Sequence, residues 1–563
     1  MRTFICLAIF MSALSAYAAD TELPAITLYS EENGTVSAAP ESYLDRSSSV
    51  TVQKRTLAQA VDDLSIRGAT FEDADVRLGG ADISNPQTGH FSLSVPAVSH
   101  DIGSASVDAQ HQKAAFELRM PEKQEFYGRT AIGSGAYFDR ALSAAVPLGV
   151  TMNRLSIEQA NQKALRPDTD WAREAYGYTF GAKSQEIETK GYLSYQKKDF
   201  GAAGAYSAPT YMHEYEILKQ RFGMLDTTYT GAFELRQSLY AQRTNDKYIL
   251  IRSNPVAYTN FHETDVVGAS HQLFPFLNPF FVRHSFRQEN LNSIRLGKDR
   301  RDTNDVGLGI EQWKAGPWTF DAAADEMYWE NNGSKPVYDL GVRYALNDVH
   351  SVYAKAARVY REPSFTELYF WNPANHGNPD LKMQRSDNTE TGYEYRNGLT
   401  MLGGDVFFRK QKNTIDWFKN ASMSYYQADN AADAKVYGAD LKAEQKFETG
   451  FLKSVRGEYT RMKMVHDRDY ETSKYAFQYL RDKVVGTTVF GLGKKIDLST
   501  SLEYGYHTDL HSRVIASSAA AYRLNDHWKL FADIDNIFNN GYKETAYVKG
   551  SPRFWRSGVE AVF

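Results

Sequence analysis

Among 563 residues there is one cysteine, Cys6, and it lies inside the N-terminal apolar stretch. Met1-Arg2, the run from Phe4 to Leu14 and then Ala16-Tyr17-Ala18 fit a secretory signal peptide over residues 1–18, cleaved after Ala18. Its removal leaves a thiol-free chain, which excludes disulfides and thiolate metal sites. Long apolar runs are missing too. Beyond the signal nothing approaches the roughly 18 to 20 residues of a membrane helix, and the mean hydropathy of -0.50 agrees. Nor does one sign of charge dominate: 64 Lys and Arg stand against 69 Asp and Glu, a formal net charge of -5. That balance offers no cationic surface to nucleic acid and no polybasic contact to a membrane. No catalytic triad, phosphate loop or paired-carboxylate spacing occurs, so the sequence reads as a non-enzyme without a cofactor.

What is present is aromatic and alternating. Aromatics make up 13% of the chain, with 36 Tyr, which suits the interfacial girdles of a large barrel. Phe563, Ala561, Val559, Ser557 and Trp555 alternate with Val562, Glu560, Gly558, Arg556 and Phe554, so a mostly apolar face opposes one carrying Glu560 and Arg556. The terminal Phe563 with Trp555 reads as an outer-membrane insertion signal for the barrel-assembly machinery. Upstream, Trp528, Leu530, Ala532 and Ile534 oppose Lys529, Phe531 and Asp533, and Leu498, Thr500, Leu502, Tyr504 and Tyr506 oppose Ser499 and Glu503. Thr391, Tyr393 and Tyr395 oppose Glu390 and Glu394. A two-residue period with lipid on one side and water on the other predicts strands of about ten residues around a polar lumen.

Counting back to a barrel start near Ala114 leaves 450 residues, or about 22 strands at roughly twenty residues per strand and connection. The expected fold is therefore an all-β membrane protein: an antiparallel barrel over 114–563 with a small N-terminal plug, since a lumen of that width needs filling. Residues 50–113 supply the plug. Residues 19–49, Ser, Glu and Pro rich from Ser30 to Ser49, form a flexible lead-in.

Three segments then resemble the TonB-dependent outer-membrane receptors, and within them the cobalamin-receptor-like branch. Ser65-Ile66-Arg67-Gly68, through Asn85-Pro86-Gln87-Thr88-Gly89-His90, resembles the plug core. Tyr360-Arg361-Glu362-Pro363, Glu367-Leu368-Tyr369, Gly377-Asn378-Pro379-Asp380 and Glu390 resemble the barrel signature, and Asp535 to Tyr542 the C-terminal box. The resemblance implies engagement of the TonB energy-transducing complex by Leu23-Pro24-Ala25-Ile26-Thr27-Leu28-Tyr29. Proline keeps that segment out of a helix, and its other residues favour extended pairing to a partner's sheet edge. Arg67 can fork to lumen carboxylates, with Glu390 and Glu394 as partners, or satisfy plug carbonyls. Gly68, Gly89 and Gly377 read as positive-φ turn residues, and Pro363 as a residue where a strand leaves the membrane. The chain departs from the family pattern at two places: Thr56 to Ala60 runs almost directly into the Ile66-Arg67-Gly68 motif, and Ser104 to Gln110 replaces an expected glycine-rich element. The plug is therefore read as shortened.

The implied function is import of a scarce nutrient, a corrinoid or an iron-siderophore complex, by a monomer in the outer membrane of a Gram-negative-type bacterium. A passive channel with an incomplete plug and a non-transporting surface-binding protein are the alternatives. Tyr206, Tyr211, Tyr369 and Trp371 are aromatic candidates to stack on a ligand, or else girdle and loop packing. No dense acidic cluster for calcium occurs early in the barrel. His507, Asp509 and His511 share a face if extended, the spacing of a transition-metal site, although loop histidines are more often solvated. Leu273 to Phe281, with two prolines, reads as a membrane-edge turn.

Overall fold

From Glu125 onward the apolar–polar alternation is met by antiparallel strands of 8 to 21 residues. Twenty-two of them close a barrel, the last (Phe554–Val562) pairing with the first (Glu125–Gly133) from Val562↔Tyr127 to Arg556↔Gly133. The computed structural model describes residues 26–30 (backbone only), 44–54, 60–203, 205–206, 213–276, 279–467, 472–544 and 548–563. The signal-peptide reading, Leu23, Pro24, Ala25 and Tyr211 fall outside the described residues. Among those described, no helix is long and apolar enough to cross a membrane.

The two faces sort as the alternation requires. Trp528, Leu530 and Trp555 are 41%, 42% and 46% exposed on the outer wall, while Phe531, Arg556 and Glu560 are buried in the lumen. Many strands exceed the expected ten residues because their ladders continue past the bilayer at one end of the barrel. Connections at the other end are tight, as at Gly149-Val150, the arrangement that barrels place in the periplasm. Just past the strand Thr259–Phe274, Phe276 is exposed.

The barrel begins at Glu125, later than the Ala114 expected. Lys113–Leu118 instead completes a five-stranded plug sheet, in the order Ile26–Ser30, Ile102–Asp108, Lys113–Leu118, Asp75–Leu78, Ala81–Asp82. Its Ala114 and Phe116 are fully buried in the plug core, which holds that strand away from the wall. A separate hairpin, Val50–Lys54 with Asp62–Ile66, carries Arg67 just past its end. The plug core is continuous with Tyr192, Phe222, Met224, Tyr240 and Val266 of the wall. At Leu78-Gly79-Gly80 the plug backbone meets that wall so closely that a Cβ on Gly80 would lie 2.6 Å from Ser238 Oγ. The opposite wall is less evenly covered: along Gly297–Arg361 Arg301, Asp325 and Ala357 are buried, but the lumen-facing Asp305, Glu311, Asp321, Asp339, Arg343 and Lys355 are only half-buried. The plug thus leans on one side of the bore.

Near the junction of plug and barrel, two neighbouring plug groups titrate in opposite senses. His100 stacks on Tyr127 at 3.7 Å and accepts from Arg119 Nη1 at 2.7 Å, and burial pushes its pKa down to about 4. Burial pushes Asp101 up to about 6 although Ser156 and Tyr192 donate to it at 2.7 and 3.1 Å. A depressed histidine loses stabilising effect as pH falls from 6.5 toward 4, whereas a raised carboxyl relieves a penalty over a similar window as it protonates. The two contributions therefore oppose one another. Asp101→Asn should unmask a loss of plug stability on acidification, and His100→Gln a gain, both read by protease release of the plug between pH 4 and 7. Identical pH profiles for both variants and wild type would contradict the assignment.

Candidate functional site

The turn after the Asp62–Ile66 strand places Arg67 at φ +48° and Gly68 at φ +72°, and this left-handed pair turns the guanidinium to the wall. Its Nη1 donates to Glu390 at 2.6 Å, Nη2 to Asp405 at 2.8 Å, and Nη2 and Nε to Asp440 at 2.7 and 2.9 Å. The cation also sits 4.0 Å over the Phe407 ring, and Arg409 donates to the Arg67 carbonyl at 2.9 Å. Three carboxylates from three adjacent strands therefore converge on one plug side chain. Glu390 is among them and Glu394 is not: it pairs with Arg396 and Arg343 at 3.1 and 3.8 Å, nearer the short-turn end. Asp405 and Asp440 were not singled out from sequence, because only the register Gly392↔Asp405↔Asp440 brings them level with Glu390.

The other motif residues hold the plug from above. Arg361 bridges Asp73 of the plug at 2.8 Å and Glu367 at 2.7 Å. Glu367 closes a capping box with Ser364 on the short helix Phe365–Tyr369. That helix donates Phe365 N to Pro86 O at 2.9 Å and Thr366 N to Gln87 O at 3.1 Å. Pro363 follows the strand end, and its carbonyl accepts from Arg301 at 2.6 Å. Gly89 and Gly377, expected at positive φ, are not there. They serve close approach instead: a Cβ would lie 2.8 Å from Phe71 O at Gly89, and 2.9 Å from Leu368 backbone at Gly377.

His90 lies toward the outer side, with Nδ1 2.9 Å from Asp63 and its ring stacked on Phe71 at 4.2 Å. Tyr206 reaches in from one outer loop, 5.2 Å from His90, and Tyr475 from another, 5.0 Å from Phe71. Tyr206 is packing rather than a free platform, since its hydroxyl donates to Glu216 at 2.5 Å. Tyr369 stacks on Phe365 at 6.4 Å. Trp371 differs: it is 65% exposed and stacks on His376 at 5.2 Å, which stacks on Tyr425 at 3.8 Å. Neither His376 nor Tyr425 was singled out from sequence, because only the loop fold stacks them with Trp371.

His507, Asp509 and His511 do not converge on a metal. Among the described residues no group of three such side chains does. His507 Nδ1 accepts the Asp509 backbone N–H at 3.1 Å, which leaves the proton of the neutral ring on Nε2. The Asp509 carboxylate takes Thr508 Oγ1 at 3.2 Å. His507 and His511 line a cleft with Thr51, Gln53 and Ser65 of the plug hairpin. At the other end, Phe563 and Phe126 exchange backbone hydrogen bonds at 2.9 Å, placing the terminal aromatic at the seam, and Trp555 faces outward.

Ile26–Ser30 is an edge strand of the plug sheet, paired from Ile26↔Val107 to Ser30↔Ser104 with a bulge between Thr27 and Tyr29. The segment's extended habit is thus expressed inside the chain.

Removing the Arg67 cation leaves three buried carboxylates uncompensated. Arg67→Ala should destabilise plug seating by about 3–5 kcal/mol, the usual cost of breaking a buried pair. Arg67→Lys should recover only part, because an ammonium lacks the fork. Denaturant titration of plug protease sensitivity reads both, and a cost near zero for Arg67→Ala would refute the cluster's role.

Residues 123–537 match the family described as TonB dependent receptor-like, beta-barrel. The vitamin B12 transporter BtuB of Vibrio vulnificus is 21% identical over 293 residues, 49% of this chain and 44% of that protein. BtuB of Photobacterium profundum is 23% identical over 268 residues, 45% of this chain and 42% of that protein. The chain spans under half the length of these curated relatives. Among solved structures, the FrpB iron transporter of Neisseria meningitidis superposes with a TM-score of 0.75 at 13% identity, covering 95% of this chain and 98% of that one. The copper transporter OprC gives 0.76 at 12% identity over 98% and 99%. A match that takes in every barrel strand but the last, on a closed barrel with a plug bolted inside, means that the chain belongs to the TonB-dependent receptor family of the Gram-negative outer membrane.

Proposed function

We propose that the protein imports a scarce nutrient, a corrinoid or an iron-siderophore complex, in a cycle driven by the TonB energy-transducing complex acting on Leu23–Tyr29. The observation that carries this reading is mechanical. The traceable end of that segment, Ile26–Ser30, is hydrogen-bonded to the edge of the five-stranded plug sheet, whereas Arg67 anchors the separate hairpin to the wall. A pull on the segment therefore loads the sheet before it loads the anchor. Outside, the exposed Trp371 face, backed by His376 and Tyr425, suits a planar ligand. The names of the relatives, transporters of vitamin B12, iron and copper, agree with uptake as the class of activity. The reading includes a monomer inserted by the barrel-assembly machinery, with outer-membrane lipid around it.

Deleting residues 23–29 should abolish energised uptake and leave surface binding intact. Uptake that persists in the deletion would reject energy coupling. Growth of a deletion strain on limiting iron or limiting corrinoid, with rescue by one supplement, identifies the cargo class.

A passive channel is favoured by one observation, the half-buried lumen-facing side chains along Gly297–Arg361. Planar-bilayer recording separates the two: the transporter reading expects no steady conductance from the intact protein, and a large constant current would establish the pore.

A further inference from the structure

The outward faces of three adjacent strands, Thr400–Lys419, Tyr426–Lys446 and Leu452–His466, change character with height. Val406 and Leu441, both 57% exposed, lie in the apolar band. Above them Phe408 sits opposite Tyr437 with rings 5.1 Å apart. Then come ammonium groups, Lys410 directly opposite Lys435 with Lys412 one outward position beyond Lys410, while Lys463 stands beside the aromatic layer, opposite Tyr437. Lys410 is the eleventh residue of a strand that starts at Thr400. At about 3.3 Å per residue and a tilt near 40° it stands roughly 25 Å above the short-turn end, at the upper edge of the lipid band.

No described carboxylate neutralises these charges. Asp387, the cross-strand neighbour of Lys410, is already held by Arg358 at 2.6 Å and Arg385 at 2.9 Å. Among the described residues none of Lys410, Lys412, Lys435 and Lys463 makes an ion pair. Some other cations on the outer wall are closed by a carboxylate: Arg243 by Asp265 through two bonds of 2.6 and 2.8 Å, and Lys197, which lies directly opposite Lys219, by Asp199. Like charges directly opposite across a ladder repel unless an anion lies between them. Aliphatic, aromatic and ammonium layers in that order match acyl chain, interface and anionic headgroup.

We propose that this patch is a docking surface for the phosphate groups of an outer-leaflet lipid. Two ammonium groups facing each other can share one phosphate, with Lys412 and Lys463 flanking it. The proposal concerns the outer wall and is independent of the cargo.

The test is native mass spectrometry of the full chain in detergent, titrated with a bisphosphorylated outer-leaflet glycolipid and with its dephosphorylated form. Wild type should bind the phosphorylated lipid at least tenfold more tightly. The quadruple variant Lys410→Gln, Lys412→Gln, Lys435→Gln, Lys463→Gln should lose that preference, while Lys494→Gln with Lys495→Gln, at the short-turn end, should keep it. Equal binding of the two lipids by wild type, or full preference in the quadruple variant, would overturn the proposal. So would complete displacement by millimolar inorganic phosphate, which would make the patch a site for the free ion. If the quadruple variant does not fold by circular dichroism, Lys435→Gln alone should show a several-fold loss, and no loss would count against the proposal equally.

Discussion

Backbone hydrogen bonding in a medium without water is the constraint on which the rest of this structure depends. An unpaired N–H or C=O in hydrocarbon costs several kcal/mol, so a sheet in the membrane must have no edge. Here the edge disappears where Phe126 and Phe563 exchange hydrogen bonds and the Phe554–Val562 strand meets Glu125–Gly133. Closure creates an enclosed bore, and every lumen-facing side chain then has to find a partner in the plug, on the wall or in water.

The partners found are largely ionic. Arg67 with Glu390, Asp405 and Asp440, Arg361 with Asp73, and Lys483 donating to Ser47 O and Val50 O at 3.1 and 2.7 Å tie plug to wall. Buried charge pairs contribute little net stability against apolar packing of the same volume, but they are directional and costly to break singly. Such an interface sets the position of the plug accurately without making it inseparable. The apolar contact with Tyr192, Phe222 and Met224 adds adhesion along one part of the wall, extended by Ala60 and Val61 against Ala131, Trp171 and Phe200. That asymmetry leaves the wall from Gly297 to Arg361 partly wetted, and it is the physical ground of both the transporter and the channel readings.

The two ends of the barrel do different work for the same reason. Strands that outrun the bilayer carry loops whose aromatics are no longer needed as girdle, so Trp371, His376 and Tyr425 can stack on one another, and Phe71 and His90 can meet Tyr475 and Tyr206 over the plug. Tight connections at the other end leave little but turn residues and short apolar edges such as Phe276.

Alternation along strands such as Trp528 to Ile534 and Phe554 to Val562 was enough to predict a barrel, which side of each strand meets lipid, and that Glu390 faces a lumen; chain length divided by about twenty residues per strand gave the number of strands, and Arg67 entered as a lumen partner only through the family resemblance, as one of two readings. Period-two patterning is a local property and needs no partner to be legible. Where the plug ends was not legible, because Lys113–Leu118 alternates like a wall strand and only its pairing with Asp75–Leu78 claims it. The identities of Asp405 and Asp440 as partners of Arg67 depend on register and on contacts between segments hundreds of residues apart, and the close approach of Gly89 to Phe71 and of Gly377 to Leu368 depends on how the intervening loops fold back. Sequence determined the lattice of strands; tertiary structure alone decided which charges meet across it, since inter-strand register is written in no single segment.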